Sequence, residues 1–559
     1  MTMIDPQAPH VALRAPQDVM RLSRMGSFHQ SRLSFMRILL RRLKSEAWAF
    51  SRAMFDFDAR GVGTAVYTAT GPNRAYSLVA FGHDLPPTMR SDRVIATAWD
   101  ATFCMFDGVP DAADIARLRA NVPLQEAGRI SESELSLSRA NRSVRLWDHV
   151  VDRLAMGAQP DEDMVRSVGY LMRTTAVYGS GKFGAADRDT IADRPECTAP
   201  FQVEMLSVWL TRAFVLDLVE HMARMRAPDS AVRIEPRLRR RFGIGNSTGL
   251  GMAPFLINHP VLLNNWIMAR EYALARVLSV ETARAQEIAR FTDLTERAAI
   301  NAMEWQSEHP LQREKLGLLR ADMETLLTHL EGLDLTRPQA WKTLWDWAQG
   351  TLSEEGQEQL VSLLLEPYPD LVDGLADCMA ADEAAAFRID GRMDVAQLRD
   401  IVARVYAWAL EIDWTTPTEC ARVWYTSQEK LEPRLGERFE EDIAPWEQPL
   451  APGRDAAQLW HDLGGASGST ASFLMAHPEH RHCVRRAQIA ARHPYAEICD
   501  NTIHAKTLPI DLLRAKLSFF GAGHFDPRSD RWVRINMFRN APFPHELAAS
   551  DPDDWTYPQ

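Results

Sequence analysis

From about residue 110 onward, the apolar residues of this chain recur three and four positions apart almost without interruption. That spacing gathers them on one face of an α-helix. Most of the chain is therefore expected to fold as helices that bury one side against each other. "DAADIARLRANV" (111–122), "SELSLSRANRSVRLWDHVVDRLA" (133–155) and "DEDMVRSVGYLMRTTAVY" (161–178) all fit, and residues 201–225 read as a long, buried helix. Further helices are expected at 261–303, 310–331, 338–348, 355–364 and 394–412, with another at "PIDLLRAKLSFF" before a strand in "DRWVRINMFRNAPF".

Two stretches near the start qualify this pattern. Residues 34–57 read as a helix with a core stripe and snorkelling arginines, in preference to a membrane-surface helix. Residues 62–107 change character: "VGTAVYTAT", "AYSLVAFGH" and "RVIATAWDATFCMF" are rich in β-branched and aromatic residues, with the turn "GPNR" between the first two. They predict a three-stranded antiparallel meander. The expected class is mainly α with a minor antiparallel β-sheet (α+β). The organisation expected is 1–110 (helix plus sheet), 111–285 (helical, with two glycine-rich loops) and 286–559 (helical, ending in a short strand and tail).

One internal echo bears on architecture. "GNSTGLGMAPFLINHP" (245–260) and "GASGSTASFLMAHP" (465–478) share Ala, Phe, Leu, His and Pro at a constant offset of 218. Either the chain has two pseudo-repeated halves or the match is coincidence.

Bulk properties narrow the function. The 559 residues are 46% hydrophobic and 25% charged, with a net charge of −12. That balance supports large cores and disfavours nucleic acid as a partner. Six cysteines without a CxxC argue against a disulfide framework or zinc module. No basic-then-apolar leader and no apolar run of membrane-spanning length are found, so a cytoplasmic protein with no membrane partner is expected. Homo-oligomerisation is left open.

The candidate chemistry lies in two glycine-rich segments. "RRRFGIGNSTGLGMAPF" (239–255) matches GxGxxxG and G-x-S-x-G as text. A dinucleotide turn or a serine-hydrolase elbow must follow a strand, and the basic "RIEPRLRRRF" in front reads as no such strand. The remaining reading is an anion cradle, in which Asn246, Ser247, Thr248 and Gly249 offer backbone amides and polar side chains near a helix start. "MRTTAVYGSGKFGAADR" (172–188) places Lys182 between glycines, with Arg173, Thr174, Tyr178 and Ser180 close by. It lacks the residue after the lysine that a P-loop needs. Arg173 and Lys182 are expected to hold negative charge, and Tyr178 or His504 to move protons.

"HPEHRHC" invites a metal, but His480 and His482 are two apart and diverge on a helix, so no metal is expected. No cofactor is identified. The expectation is an enzyme that binds a small anionic substrate or cofactor (a carboxylate or phosphate) between the two glycine-rich loops, with lyase- or isomerase-type acid–base chemistry. Alternatives are a serine hydrolase using Ser247 and a non-catalytic scaffold protein.

Overall fold

The structure is a computed structural model that describes residues 9–89, 98–125, 127–174, 191, 193–247, 260–305, 310–379, 386–416, 425–427, 433–434, 447–449, 453–498, 514, 517–519, 521, 524–527 and 533–557. The meander forms where β-branched and aromatic residues predict it, as β2 (Gly63–Thr70), β3 (Ala75–Gly82) and β4 (Ala101–Asp107). The turn after β2 closes with the Gly71 amide donating to the Arg74 carbonyl.

The meander is only part of the sheet. β1 (Ala49–Phe57) adds on one side, and β5 (Glu134–Arg142), β6 (Tyr170–Thr174) and β7 (Gly243–Ser247) on the other. After a small separate sheet of β8 (Tyr425–Ser427), β9 (Pro433–Arg434) and β10 (Glu447–Pro449), the chain returns with β11 (His524–Pro527) and β12 (Val533–Met537). The order β1-β2-β3-β4-β5-β6-β7-β12-β11 makes nine strands. All neighbours are antiparallel except β6 and β7, which run parallel. The expected minor antiparallel sheet is therefore wrong: the sheet is large and mixed, although helices still dominate the content.

Four segments depart from the sequence reading. Residues 34–57 are a helix only over Phe35–Ser45 and then become β1. The stretch 133–155 is β5 followed by a helix at Trp147–Ala155. The stretch 161–178 is a short helix, Glu162–Val168, ended by left-handed Gly169 and followed by β6. "GIGNS" (243–247) is strand, not loop. β5 and β6 are buried almost throughout, so they show no clean alternation of polar and apolar residues and are easily read as helix.

The pseudo-repeat also falls. Gly245 sits in an interior strand of the sheet, β7, while its counterpart Gly465 lies in a turn before the Thr470–Ala476 helix. Pro260 opens the long Pro260–Leu278 helix, whereas Pro478 opens a 3-10 turn.

The Gln202–Arg226 helix covers one sheet face, its Phe214 ring packing on Phe57, Tyr67 and Phe103. On the opposite face, Leu118 and Val122 from the Ala112–Asn121 helix region close over Val66, Val79, Phe81, Cys104 and Leu137. The helices between 260 and 379 pack into the same core as the first face and as residues 535–557. A smaller helical cluster, from Val395 to Ala487, has a core of its own.

Buried ion pairs lock the N-terminal segment into this body. Arg37 is fully buried, with Nη1 2.5 Å from Glu366 Oε1 and Nε 2.8 Å from Asp553 Oδ1. Arg14 donates to both Glu271 and Glu358. Three arginines around Glu358 hold its carboxyl down at about 2 against the pull of burial.

Candidate functional site

The β6–β7 pair is where the two glycine-rich segments begin. A parallel pair needs a crossover, and the Gln202–Arg226 helix lies in the connection between these strands. Residues 175–190 follow β6 and residues 248–259 follow β7, so the two segments start side by side at the strands' carboxyl ends. In open sheets with parallel strands, this edge is where ligands bind.

β7 can be a strand despite its composition because its glycines let neighbours pass. A Cβ on Gly245 would come within 2.8 Å of the Arg173 and Tyr170 side chains, and one on Gly243 within 2.6 Å of the Met537 carbonyl. Arg212, buried in the covering helix, fixes how the chain enters β7 and leaves β12. It donates to the carbonyls of Phe242 (2.6 Å), Ala541 (2.7 Å) and Arg240 (3.0 Å) and stacks on Phe543. Burial holds its guanidinium well below the usual arginine range.

Register places Arg173 in a polar row across the sheet. Asn141 pairs with Arg173, Arg173 with Gly245, and Gly245 with Asn536. Asp100 continues the row, its amide donating to Asn141 Oδ1 at 3.2 Å while its carboxylate accepts from the Arg142 amide at 3.0 Å. Asp100, Asn141, Arg173 and Asn536 are all buried. Side chains alternate along a strand, so Thr174 and Asn246, also buried, point to the other face. Their row neighbours Ala101 and Ala140 sit there with Phe103 under the covering helix.

The sheet thus brings Arg173 beside β7 but turns Thr174 and Asn246 away from it. Ser247 is a ladder residue, paired with Arg534. Tyr178, Ser180, Lys182, Thr248, Gly249 and His504 lie outside the described residues.

Two clefts among the described residues lie elsewhere. One, of about 440 Å³, is lined by Arg14, Arg24, Glu271, Trp345 and Gln357; the other, of about 330 Å³, by Arg32, Arg290, Glu366 and Asp553. Arg14, Arg24, Glu271, Arg32, Glu366 and Asp553 are engaged in ion pairs. Neither cleft was anticipated, because the pairs that line them join residues up to 521 positions apart (Arg32 and Asp553).

No known family, curated protein or solved structure matches the chain. What it does has to be argued from its own residues.

Sequence reasoning missed Asp100, Asn141 and Asn536. Polar residues inside strand-like runs, such as Asn141 in "SLSRANR", are the signal that could have found them.

Proposed function

We propose that the carboxyl edge of the β6–β7 pair binds a small carboxylate- or phosphate-bearing molecule, and that the protein is an enzyme of lyase or isomerase type. The observation that carries this reading is the parallel pairing of Arg173 with Gly245, which sets the starts of both glycine-rich segments next to one another. A scaffold with unrelated connectors gives no reason for that juxtaposition. Glycines free backbone amides to converge on an anion. In this reading Arg173 and Lys182 supply positive charge, Ser247 and Thr248 add donors, and Tyr178 or His504 moves the proton.

The strand that a hydrolase elbow needs is present in front of Thr248, contrary to the sequence reading. An elbow, however, carries its serine on the sharp turn after the strand. Ser247 is still paired in the ladder, which favours the cradle over the elbow.

The test is thermal-shift screening of the wild type, Lys182→Ala and Lys182→Arg against a panel of carboxylates and phosphate esters. A stabilising anion whose effect is lost in Lys182→Ala and partly kept in Lys182→Arg is the expected result. The reading is wrong if no anion stabilises the wild type, or if all three proteins respond alike.

A further inference from the structure

In the separate helical cluster, "MAHPEHRHC" takes an unexpected shape. The Thr470–Ala476 helix ends at His477, and Pro478, which suits the first position of a turn, opens the short 3-10 segment Pro478–His480. That segment folds His480 back beside His477. The partner of His480 is thus the histidine three positions before it rather than His482, two positions after.

We propose that His477, Glu479 and His480 form a binding site for a divalent transition-metal ion of the zinc class. One ligand atom from each residue lies within 4.8 Å of the others. Around zinc, bonds of about 2.0–2.2 Å put tetrahedral ligand atoms roughly 3.4 Å apart, so small side-chain rotations close the set. Glu479 Oε1 already lies 3.2 Å from His477 Nδ1. Two imidazoles and one carboxylate suit zinc, cobalt or nickel, and three protein ligands leave a fourth position for water.

A second observation points the same way. Asp462, on the Gly453–Leu463 helix, lies 2.8 Å from His480 Nε2. A carboxylate on one imidazole nitrogen fixes the proton there and leaves the other nitrogen to bind a metal, the usual outer-shell arrangement of metal-ligating histidines. Phe473 stacks beside both rings, at 4.9 Å from His477 and 5.8 Å from His480, and limits their rotation. His480 is buried while His477 and Glu479 reach solvent, so an ion has a route in. Of the nearby arginines, Arg486 pairs with Glu497 and Arg485 donates to the Phe387 carbonyl.

The test uses the full chain, stripped with a chelator and then titrated with Zn²⁺ by calorimetry and with Co²⁺ by visible absorption. One equivalent should bind, with Co²⁺ showing the intense d–d bands of a four- or five-coordinate site. His477→Gln and Glu479→Gln alter solvent-exposed side chains, so both should fold, as melting without metal would verify. Each should weaken Zn²⁺ binding at least tenfold, and Asp462→Asn by about 10-fold through His480. Failure of the wild type to bind one equivalent overturns the proposal. So does unchanged binding in both His477→Gln and Glu479→Gln, which would place the metal on other histidines or cysteines.

Discussion

The side chain of Arg173 lies over the α-carbon of Gly245, its partner in the parallel β6–β7 ladder, with no room for a methyl group between them. Gly245→Ala would bring a Cβ to 2.7 Å from Tyr170 Cγ and 2.8 Å from Arg173 Cγ. Overpacking of this kind costs about 1–3 kcal/mol. The urea midpoint should fall accordingly, and by less when Arg173→Ala is already present. Equal losses in both backgrounds would show that Arg173 does not press on Gly245.

Arg212 joins the two sides of β7 through carbonyls rather than a carboxylate. Arg212→Leu keeps much of the volume and leaves three carbonyl oxygens without their donor. Each such group costs about 1–3 kcal/mol when nothing replaces the bond, offset by release of a buried charge. A net loss of about 2–4 kcal/mol is expected, with Arg212→Lys in between. A leucine variant as stable as the wild type would mean that the clamp contributes nothing.

The Arg37 cluster and the surface pair Arg226–Asp152 offer a contrast of burial. Removing Arg37 takes away the fully buried cation that both Glu366 and Asp553 bind, leaving Glu366 with Arg32 and Asp553 with Arg32 and Arg41. Arg37→Ala should cost about 3–5 kcal/mol, as breaking a buried pair does. Arg226 and Asp152 are both about half exposed, and Arg226→Ala should cost less than about 1 kcal/mol. Denaturant unfolding of the two variants side by side checks the ranking.

His29 gives a pH dependence of defined sign. It is buried against Tyr557, with Nδ1 2.8 Å from Gln359, and burial lowers it to about 4 despite the nearby Glu366 carboxylate. Below pH 6.5 the unfolded chain takes up a proton that the folded chain refuses. The stability contribution is complete above pH 6.5 and is lost as pH falls towards 4, by about 3 kcal/mol in all. His29→Asn should lose that much less stability than the wild type between pH 7 and pH 4. Identical losses would show that His29 does not titrate in this way.

How far the sequence foretold this structure depends on where each strand's stability comes from. β2, β3 and β4 were legible because their turn and their β-branched content act locally. The 202–226 helix was legible from its apolar density. β7 was not, since Ile244 is the single large apolar residue in "GIGNS". Its strand character comes from β6, about 70 positions earlier, and β12, about 290 positions later, as tertiary context overrides propensity. The candidate site was legible as two glycine-rich texts. That they would meet was assumed by the anion reading, but the β6–β7 pairing that sets their starts side by side could not be read from the residues.

The strand order carries a consequence for how the chain acquires its fold. During synthesis β1 to β5 can assemble from neighbours in sequence, but β7 keeps one edge unpaired until residues 533–537 are made. Closing so long a loop is entropically slow, and an exposed strand edge is a template for aggregation. The β12–β11 end of the sheet is thus its last part to be completed, and folding intermediates should be most vulnerable along β7, the strand whose carboxyl end carries the proposed anion site.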